Sequence, residues 1–187
     1  MQPVTLTTAR LVLDAATLDD VDRITEYCRD PAFHRFMPTP WPYEREHAIG
    51  FVTEYIAGGW RDDREFTWAI RVGTGEPLLG AVGLRREENG GANLGFWMGA
   101  PHRGNGYMPE AAHAAIEWGF SSLSLPSVRW EAVVGNDASR SVAERLGFRY
   151  TGIAPGEAPG RDGRPVDSWH AELVAGASRE RKDGWPT

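Results

Sequence analysis

Residues 66–98 contain three strand-like segments joined by short turns, and this run constrains the fold more than any other. Large apolar residues alternate with small or polar ones from Phe66 to Val72, which is the spacing of a half-buried strand. Two further strand-like segments follow at 77–85 and 93–98, the last one after the hairpin pair Asn89-Gly90. Parallel neighbours would need long crossovers. The middle of the chain is therefore predicted to be an antiparallel meander.

Helical and strand-like patterns surround the meander. Helices are predicted at about 17–29, opened by Thr17 and Asp20, at 44–56, closed by Gly58-Gly59, and at 109–120 and 137–146. Strands are predicted at 8–14, 128–134, 148–153 and 166–173, and residues 36–43 form a loop rich in proline and aromatic residues. Helices on a mixed, mainly antiparallel sheet give the α/β (α+β) class. We expect one domain over residues 1–175 and a polar, frayed tail over residues 176–187.

Composition and charge exclude several classes of protein. The net charge is −6, whereas nucleic acids and anionic membranes bind basic surfaces, so neither is expected as a partner. No apolar run reaches the roughly 20 residues that span a bilayer, and residues 1–5 lack the pattern of a signal peptide. Cys28 is the single cysteine, which excludes an internal disulfide, and the histidines show no metal-ligand spacing. We expect a cytoplasmic protein without a metal.

The segment Arg103-Gly104-Asn105-Gly106-Tyr107 joins the last strand of the meander to an alanine-rich helix. Glycines at such a junction let backbone N–H groups converge, and the helix N-terminus adds a partial positive charge. Arg103 adds a fixed cation. These features predict an anion site in a protein of negative net charge, and a pyrophosphate is its natural ligand.

The segment does not match two other phosphate-binding motifs. A tight turn with incidental glycines is the remaining alternative. Gly104-Asn105-Gly106 begins like the dinucleotide motif G-x-G-x-x-G, but Pro109 replaces the third glycine and the preceding strand belongs to a meander. A Walker loop needs Gly-Lys-Ser/Thr, which does not follow. A nucleotide-dependent oxidoreductase would require a parallel sheet and NAD(P) binding.

Several spaced segments resemble one enzyme family. Arg103 to Met108 resembles the R-x-x-G-x-G/A pyrophosphate loop of the GCN5-related N-acetyltransferases (GNAT). The flanking residues 94–98 and 109–111, with the opening segment 8–13, are similar to the ribosomal-protein N-terminal acetyltransferase (RimJ/RimL-type) branch. Residues 136–148 resemble its N-x-x-S helix and closing Leu-Gly-Phe. The resemblance covers about residues 5–174 in matching order.

The resemblance implies that acetyl-CoA, as co-substrate, lies in a gap between two strands, here residues 93–98 and 128–134. The backbone of Trp97 and Met98 would pair with the pantetheine arm and polarise the thioester carbonyl. Asn136 would hydrogen-bond to the pantetheine. The pyrophosphate would be held by the amides of Arg103, Gly104, Asn105, Gly106, Tyr107 and Met108. Met108 departs from the family pattern, which has glycine or alanine at that position.

The resemblance also implies catalytic residues. Ser139 would lie near the sulfur, where its hydroxyl could stabilise the leaving thiolate. Ala143 replaces the tyrosine that many members use as general acid, so that role passes to Ser139 or to no residue. A serine that merely occupies the first turn of a helix is the alternative. Glu157 lies close to where this branch can place a catalytic glutamate, and it is the candidate general base.

An amine is the expected acceptor. A free α-amine titrates near ~8 and a lysine amine near ~10.4, so the lysine costs roughly 3 kcal/mol more to deprotonate at neutral pH. This difference favours a peptide N-terminal α-amine or another weakly basic amine. The candidate pocket walls are four aromatic residues: Phe36, Trp41, Tyr43 and Trp169. Core packing or a homodimer contact is the alternative for these four.

The leading hypothesis is therefore an N-acyltransferase that moves an acetyl or other short acyl group from acyl-CoA to a primary amine by direct attack in a ternary complex. A CoA-binding sensor or regulatory protein with weak catalysis is the alternative, because Ala143 replaces the usual acid and the general base is not firmly placed. The amine acceptor, the acyl length and the oligomeric state stay open.

Overall fold

The computed structural model describes residues 1–186 and contains one eight-stranded sheet. The strands are β1 (Leu6–Thr7), β2 (Val12–Asp14), β3 (Glu65–Arg71), β4 (Gly80–Arg86), β5 (Ala92–Met98), β6 (Ser127–Val133), β7 (Arg149–Pro155) and β8 (Asp167–Val174). Their order across the sheet is β1-β2-β3-β4-β5-β6-β8-β7. All neighbouring pairs are antiparallel except β5 and β6, which are parallel. The predicted meander and the α/β (α+β) class are confirmed.

The helices are α1 (Val21–Cys28), α2 (Pro31–Phe36), α3 (Arg45–Gly50), α4 (Ala57–Arg61), α5 (Tyr107–Ser122) and α6 (Asp137–Arg145). A π-helical segment, Phe51–Ile56, joins α3 and α4 into one continuous stretch. A single 3₁₀ turn precedes α1 and carries the predicted capping arrangement, in which Thr17 N–H donates to Asp20. Among residues 1–186, no helix has the length and apolar character needed to cross a membrane.

Helices cover both faces of the central strands. The larger part of the core includes Phe66, Trp68 and Leu84 and lies against α5. The smaller part lies on the other face, where Ala69 packs among residues of α1 to α3. All seven residues of β3 are buried for this reason, so the prediction of a half-buried strand is wrong for that segment.

Three local predictions need correction. The strand predicted at 8–14 is a hairpin of β1 and β2, with Leu6 opposite Leu13. The helix α2 was not predicted, although Asp30 at its N-cap and Pro31 at its first position are ordinary start signals. Gly58-Gly59 does not end the second helix, which continues to Arg61. Position 59 requires glycine, because a Cβ there would lie 2.6 Å from the carbonyl oxygen of Glu65.

The C-terminal segment packs onto the domain instead of fraying. Trp185 contacts Trp130 of β6 and Tyr150 of β7, with ring centroids 5.7 and 5.4 Å apart. Arg181 of the same segment pairs with Glu144 of α6 at 2.5 Å. The predicted boundary at residue 175 stays a prediction, but the residues that follow it are docked.

Candidate active site

A gap opens in the middle of the sheet, between β5 and β6. The two strands pair only at Ala92 with Val128 and at Asn93 with Arg129. Beyond Asn93, no strand within residues 1–186 pairs with the edge of β5 that faces β6, although β4 pairs with β5 along its whole length. Backbone N–H and C=O groups on that edge are therefore available to an extended ligand. Trp97 and Met98, predicted to bind pantetheine, lie on this segment of β5.

The glycine loop after β5 leads into an uncapped helix N-terminus. Gly104 and Gly106 have φ of 80° and 74°, a conformation that side-chain-bearing residues rarely adopt. Gly106 is the N-cap of α5, and no side chain of the described chain caps this helix. The N–H groups of Tyr107 and Met108 are thus open to an anion. The Met108 side chain is buried in the core, so its departure from the family pattern places no bulk in the loop.

The guanidinium of Arg103 has partners within the protein. Its Nε donates to the carbonyl oxygen of Met98 at 3.0 Å, and its Nη1 pairs with Asp30 at 2.8 Å. Asp30 is the N-cap of α2, so Arg103 ties the glycine loop to that helix. The backbone of Arg103 stays in the loop, whereas its positive charge is already paired with a carboxylate.

A second arginine at this loop, Arg10, was not predicted as a site residue. It lies between β1 and β2, and its Nη1 donates to the carbonyl oxygen of Asn105 at 3.0 Å. Its guanidinium stacks 4.9 Å above the Tyr107 ring, and its Nε donates to Glu110 at 2.6 Å. Arg10 therefore braces the loop against the start of α5. The residue stands in the opening segment that resembles the family, but only the fold brings it to the glycine loop.

The first turn of α6 lies at the same end of the gap as the start of α5, because β5 and β6 are parallel and the next helix after each strand is α5 or α6. Asn136 is the N-cap of α6, and its side-chain oxygen accepts from Ser139 N–H at 3.3 Å. Ser139 Oγ in turn accepts from Trp130 Nε1 at 3.2 Å. Ala143, at the position of the tyrosine in other members, is fully buried. Ser139 is therefore held in the first turn of α6 next to Trp130 of β6, one of the two strands that border the gap.

Glu131 lies on the opposite face of β6 from Trp130 and was not predicted as a site residue. One carboxylate oxygen, Oε1, accepts from Glu157 N–H at 3.0 Å. The other, Oε2, lies 3.7 Å from His170 Nδ1. Oε2 is buried without a hydrogen-bond partner among residues 1–186. A buried oxygen of this kind needs a partner. Sequence could have flagged Glu131 only as a carboxylate in a strand that also contains Ser127 and Arg129.

Glu157 lies beside Glu131, in the loop between β7 and β8. Its carboxylate pairs with Arg85 of β4, and this hydrogen bond raises the pKa of the Arg85 guanidinium. The fold thus brings Glu157 and Glu131 together on one face of β6 and leaves Ser139 on the other. A ligand threaded through the gap would meet a hydroxyl on one side and a carboxylate on the other.

The four aromatic residues predicted as pocket walls do not converge. Tyr43 is buried in the smaller core with α1, and Trp169 is buried on the α6 side beneath the guanidinium of Arg140 at 5.3 Å. Trp41 is exposed, and its ring centroid lies 4.9 Å from that of His34 with the rings tilted by 52°. Phe36 lies nearby at the end of α2. Phe36 and Trp41 remain candidate walls, whereas Tyr43 and Trp169 serve packing on two different faces.

A strand gap flanked by two helix N-termini is suited to an extended, phosphate-bearing ligand. Residues 10–149 match the family model described as an acetyltransferase (GNAT) domain. The chain belongs to the GNAT acetyltransferase family and is an acetyl-CoA-dependent N-acetyltransferase. Its relatives include ribosomal-protein acetyltransferases, as the resemblance to the RimJ/RimL-type branch predicted.

Individual relatives agree with this assignment. The uncharacterized N-acetyltransferase p20 of Bacillus licheniformis is 28% identical over 154 residues, which cover 80% of this chain and 84% of that protein. The ribosomal-protein-S5-alanine acetyltransferase of Vibrio fischeri has a similar fold, with a TM-score of 0.77, 16% identity and coverage of 92% of this chain and 97% of that one. The microcin C7 self-immunity acetyltransferase MccE, solved with acetyl-CoA and AMP, also has a TM-score of 0.77, with 18% identity over 89% and 93% of the two chains.

Proposed function

We propose that this enzyme transfers an acetyl group from acetyl-CoA to the α-amine at the N-terminus of a peptide or protein, by direct attack in a ternary complex. The observation that carries the proposal is the gap between β5 and β6, which joins an anion cradle on one face to the Glu131 carboxylate on the other. The N-terminal acceptor is supported by the ribosomal-protein acetyltransferases among its structural neighbours.

The residues of the gap fit acetyl-CoA. The open amides of Tyr107 and Met108, in a loop shaped by positive-φ glycines, suit the pyrophosphate. The unpaired edge of β5 at Trp97 and Met98 suits the pantetheine, with Asn136 close to its path. When bound, acetyl-CoA supplies a thioester whose acyl carbon is the electrophile. Backbone N–H groups on the β5 edge would stabilise charge that develops on the carbonyl oxygen.

In this proposal, Glu131 accepts the proton of the attacking amine and Ser139 donates a hydrogen bond to the leaving thiolate. The attacking nitrogen must lose a proton, and the free oxygen Oε2 of Glu131 is the acceptor that the structure leaves without a partner among residues 1–186. Glu157, predicted from the sequence as the base, has its carboxylate paired with Arg85 and contributes its backbone N–H to hold Glu131. Ser139 would donate its hydroxyl hydrogen toward the leaving thiolate, since Trp130 already donates to its oxygen.

Acceptor recognition is electrostatic. The face of the sheet that carries Glu131 also carries two ion pairs, Arg85 with Glu157 and Arg129 with Glu87. Each of these pairs is neutral overall, so the Glu131 carboxylate adds a negative charge that attracts a protonated amine before it is deprotonated. An anionic or neutral acceptor would gain nothing from this surface.

Calorimetry with CoA and acetyl-CoA, followed by thiol release with amine acceptors, tests the proposal. We expect binding of both, transfer to peptides with a free N-terminus, and no transfer to the same peptides with a blocked N-terminus and a free lysine. Binding without transfer to any amine would instead indicate a CoA sensor. Absence of binding up to millimolar ligand would refute the assignment of the gap.

A matched pair of glycine variants tests the cradle. Gly106→Ala strains the loop at the proposed pyrophosphate site, whereas Gly75→Ala strains a distant turn with almost the same φ, 77° against 74°. The strain of roughly 1–2 kcal/mol predicts CoA binding about tenfold weaker for Gly106→Ala and unchanged for Gly75→Ala. Equal affinities for the two variants would argue against phosphate binding at Gly106.

A further inference from the structure

The loop between β7 and β8, residues 156–166, crosses the acceptor side of the sheet and is here called the roof loop. Its first fastening is Glu157, which pairs with Arg85 of β4 and donates its N–H to Glu131 of β6. β5 lies between those two strands, and Arg85 is opposite Asn93, the last residue of β5 that pairs with β6. The Arg85–Glu157 pair therefore spans β5 at the point where the gap begins.

The second fastening is Arg161, which binds three backbone carbonyl oxygens at the end of α2. Its Nε donates to His34 at 2.8 Å, and its Nη2 donates to Thr39 at 3.1 Å and to Met37 at 3.4 Å. Carbonyl groups at a helix C-terminus carry partial negative charge, so a guanidinium is a favourable partner. We call this contact between Arg161 and residues 34–39 the clasp.

α2 stands on the same face of the sheet as the roof loop. Phe33 of α2 packs edge-on against Trp97 of β5, with ring centroids 5.7 Å apart. The clasp therefore joins the N-terminal helical region to the C-terminal loop across the mouth of the gap. Without Arg161, none of the side-chain hydrogen bonds found among residues 1–186 would connect residues 158–166 to α2.

Open space lies in the sheet at the level of the gap. Gly95 is exposed although it is in a central strand, and an ideal Cβ there would have no atom of the described chain within 4 Å. By strand alternation, this Cβ points to the same face as Trp97. On the other side of the gap, a groove of about 310 Å³ runs beside His170, the neighbour of Glu131. The open space at Gly95 and the groove beside His170 lie on the same face of the sheet as Glu131, to which the roof loop is fastened, and together they are called the passage.

We propose that the clasp sets the width of this passage, so that the enzyme admits an amine at the end of a slender, extended chain and rejects an amine flanked by bulk. The inference rests on the proposed N-acetyl transfer, because it concerns the acceptor of that reaction. Arg161 is a positioning residue, since it acts by holding the roof loop against α2. Glu131 lies at the inner end of the passage, where the amine would arrive.

Arg161→Ala and Arg164→Ala form a matched pair. Both arginines belong to the roof loop, but the Arg164 side chain is 85% exposed and its ionic partner, Asp162, belongs to the same loop at 3.8 Å. The readout is the ratio of kcat/KM for a peptide with N-terminal glycine to that for one with N-terminal tryptophan. We expect Arg161→Ala to reduce this ratio about tenfold, through the KM of the bulky acceptor, and Arg164→Ala to leave it unchanged. An unchanged ratio in Arg161→Ala overturns the proposal.

Thiol labelling tests the clasp without any catalytic activity. The native thiol of Cys28 is buried, and burial raises its pKa to about 12, so a cysteine introduced by Gly95→Cys would be labelled against a low background. Iodoacetamide should react in every variant. A fluorescein maleimide should react slowly with Gly95→Cys, faster when Arg161→Ala is added, and no faster when Arg164→Ala is added.

The two experiments separate the clasp from the proposed function. The expected labelling pattern without acetylation of any amine would refute the function and leave the clasp as a cover of the passage. Equal maleimide rates in all three proteins would refute the clasp, whether or not an amine is acetylated.

Discussion

Glu131 illustrates how the role of a single carboxylate depends on what its neighbours leave free. The Glu157 N–H fixes one oxygen, His170 lies 3.7 Å from the other, and the side chain is 18% exposed. A carboxylate held in this way has one buried oxygen whose lone pairs have no hydrogen-bond partner among residues 1–186. Glu157, whose carboxylate is already paired with Arg85, does not offer such a lone pair.

Glu131→Gln should therefore lower kcat by at least about 100-fold while preserving the fold and the affinity for CoA, because the amide keeps the shape but cannot accept the proton. The remaining rate should rise about tenfold per pH unit up to roughly pH 8, as solution supplies the neutral α-amine. Glu172→Gln is the control, since Glu172 lies on the same face and pairs only loosely with Arg149 at 3.9 Å. A wild-type kcat in Glu131→Gln would place the base elsewhere.

The buried thiol of Cys28 should make the free energy of unfolding depend on pH in the alkaline range. Burial raises the pKa of its thiol from 9.0 to about 12, whereas the unfolded chain ionises near the ordinary value. The folded state therefore binds the proton more tightly, and stability present below about pH 9 is lost as the pH rises toward 12. Between pH 8 and 10 this loss is about 1.4 kcal/mol.

Cys28→Ala should remove that part of the pH dependence. The measurement is urea unfolding at pH 8 and pH 10 for both proteins, and the comparison is the change in unfolding free energy rather than its absolute value. Burial also raises the pKa of Tyr43, and the neighbouring Cys28 raises it further, so Cys28→Ala reduces the contribution of Tyr43 in the same direction. Identical losses of stability in the two proteins would mean that the thiol is not buried in solution.

At the scale of elements, the helix that runs from Arg45 to Arg61 shows where local preference and packing disagree. Two adjacent glycines usually weaken or end a helix, yet this helix passes through both. The backbone of β3 approaches Gly59 so closely that only a residue without Cβ fits. Gly58, in contrast, has only the tip of the Arg61 side chain near it, at 3.6 Å.

Gly59→Ala should lower the free energy of unfolding by about 1–3 kcal/mol, because its Cβ would lie 2.6 Å from the Glu65 carbonyl oxygen and force β3 or the helix to shift. Gly58→Ala should raise it by roughly 0.5–1 kcal/mol, since alanine is the better helix former and has room. Urea unfolding of both variants measures the sign and size of each change in unfolding free energy. The same sign in the two variants would contradict the packing of the helix against β3.

At the scale of the whole molecule, the C-terminal segment packs against the side of the active site that carries α6. Trp185 packs on Trp130, and Trp130 donates to Ser139 at the first turn of α6. Arg140 of α6 also donates to the carbonyl oxygen of Pro186. The tail therefore supports the helix that presents Ser139, even though it lies beyond the predicted domain boundary.

Trp185→Ala should lower the free energy of unfolding by about 2 kcal/mol, less than a fully buried tryptophan because the ring is only half-buried. Asp183→Ala is the control in the same segment, since Asp183 is exposed. Thermal or urea unfolding would measure both. If the two variants are equally stable, the tail is not docked in solution and Ser139 does not depend on it.

The order of elements and the glycine loop were predictable because both depend on patterns of residues that are close together in the sequence. Alternation and turn residues predicted the meander, Thr17 and Asp20 predicted the start of a helix, and Gly104 and Gly106 predicted an anion site at a helix N-terminus. Each of these signals acts within a few residues. The approximate bounds of α5, α6 and β6 followed for the same reason.

Only the tertiary structure decided which of those residues meet. The Arg103 guanidinium is paired with Asp30, and Trp169 packs under Arg140. Glu131 lies beside Glu157 and accepts its N–H. These outcomes depend on strand order, which inserts β8 between β6 and β7, and on the separation of β5 from β6 after two residue pairs. Strand order and splay arise from packing between distant segments, and periodicity along one segment carries no information about either.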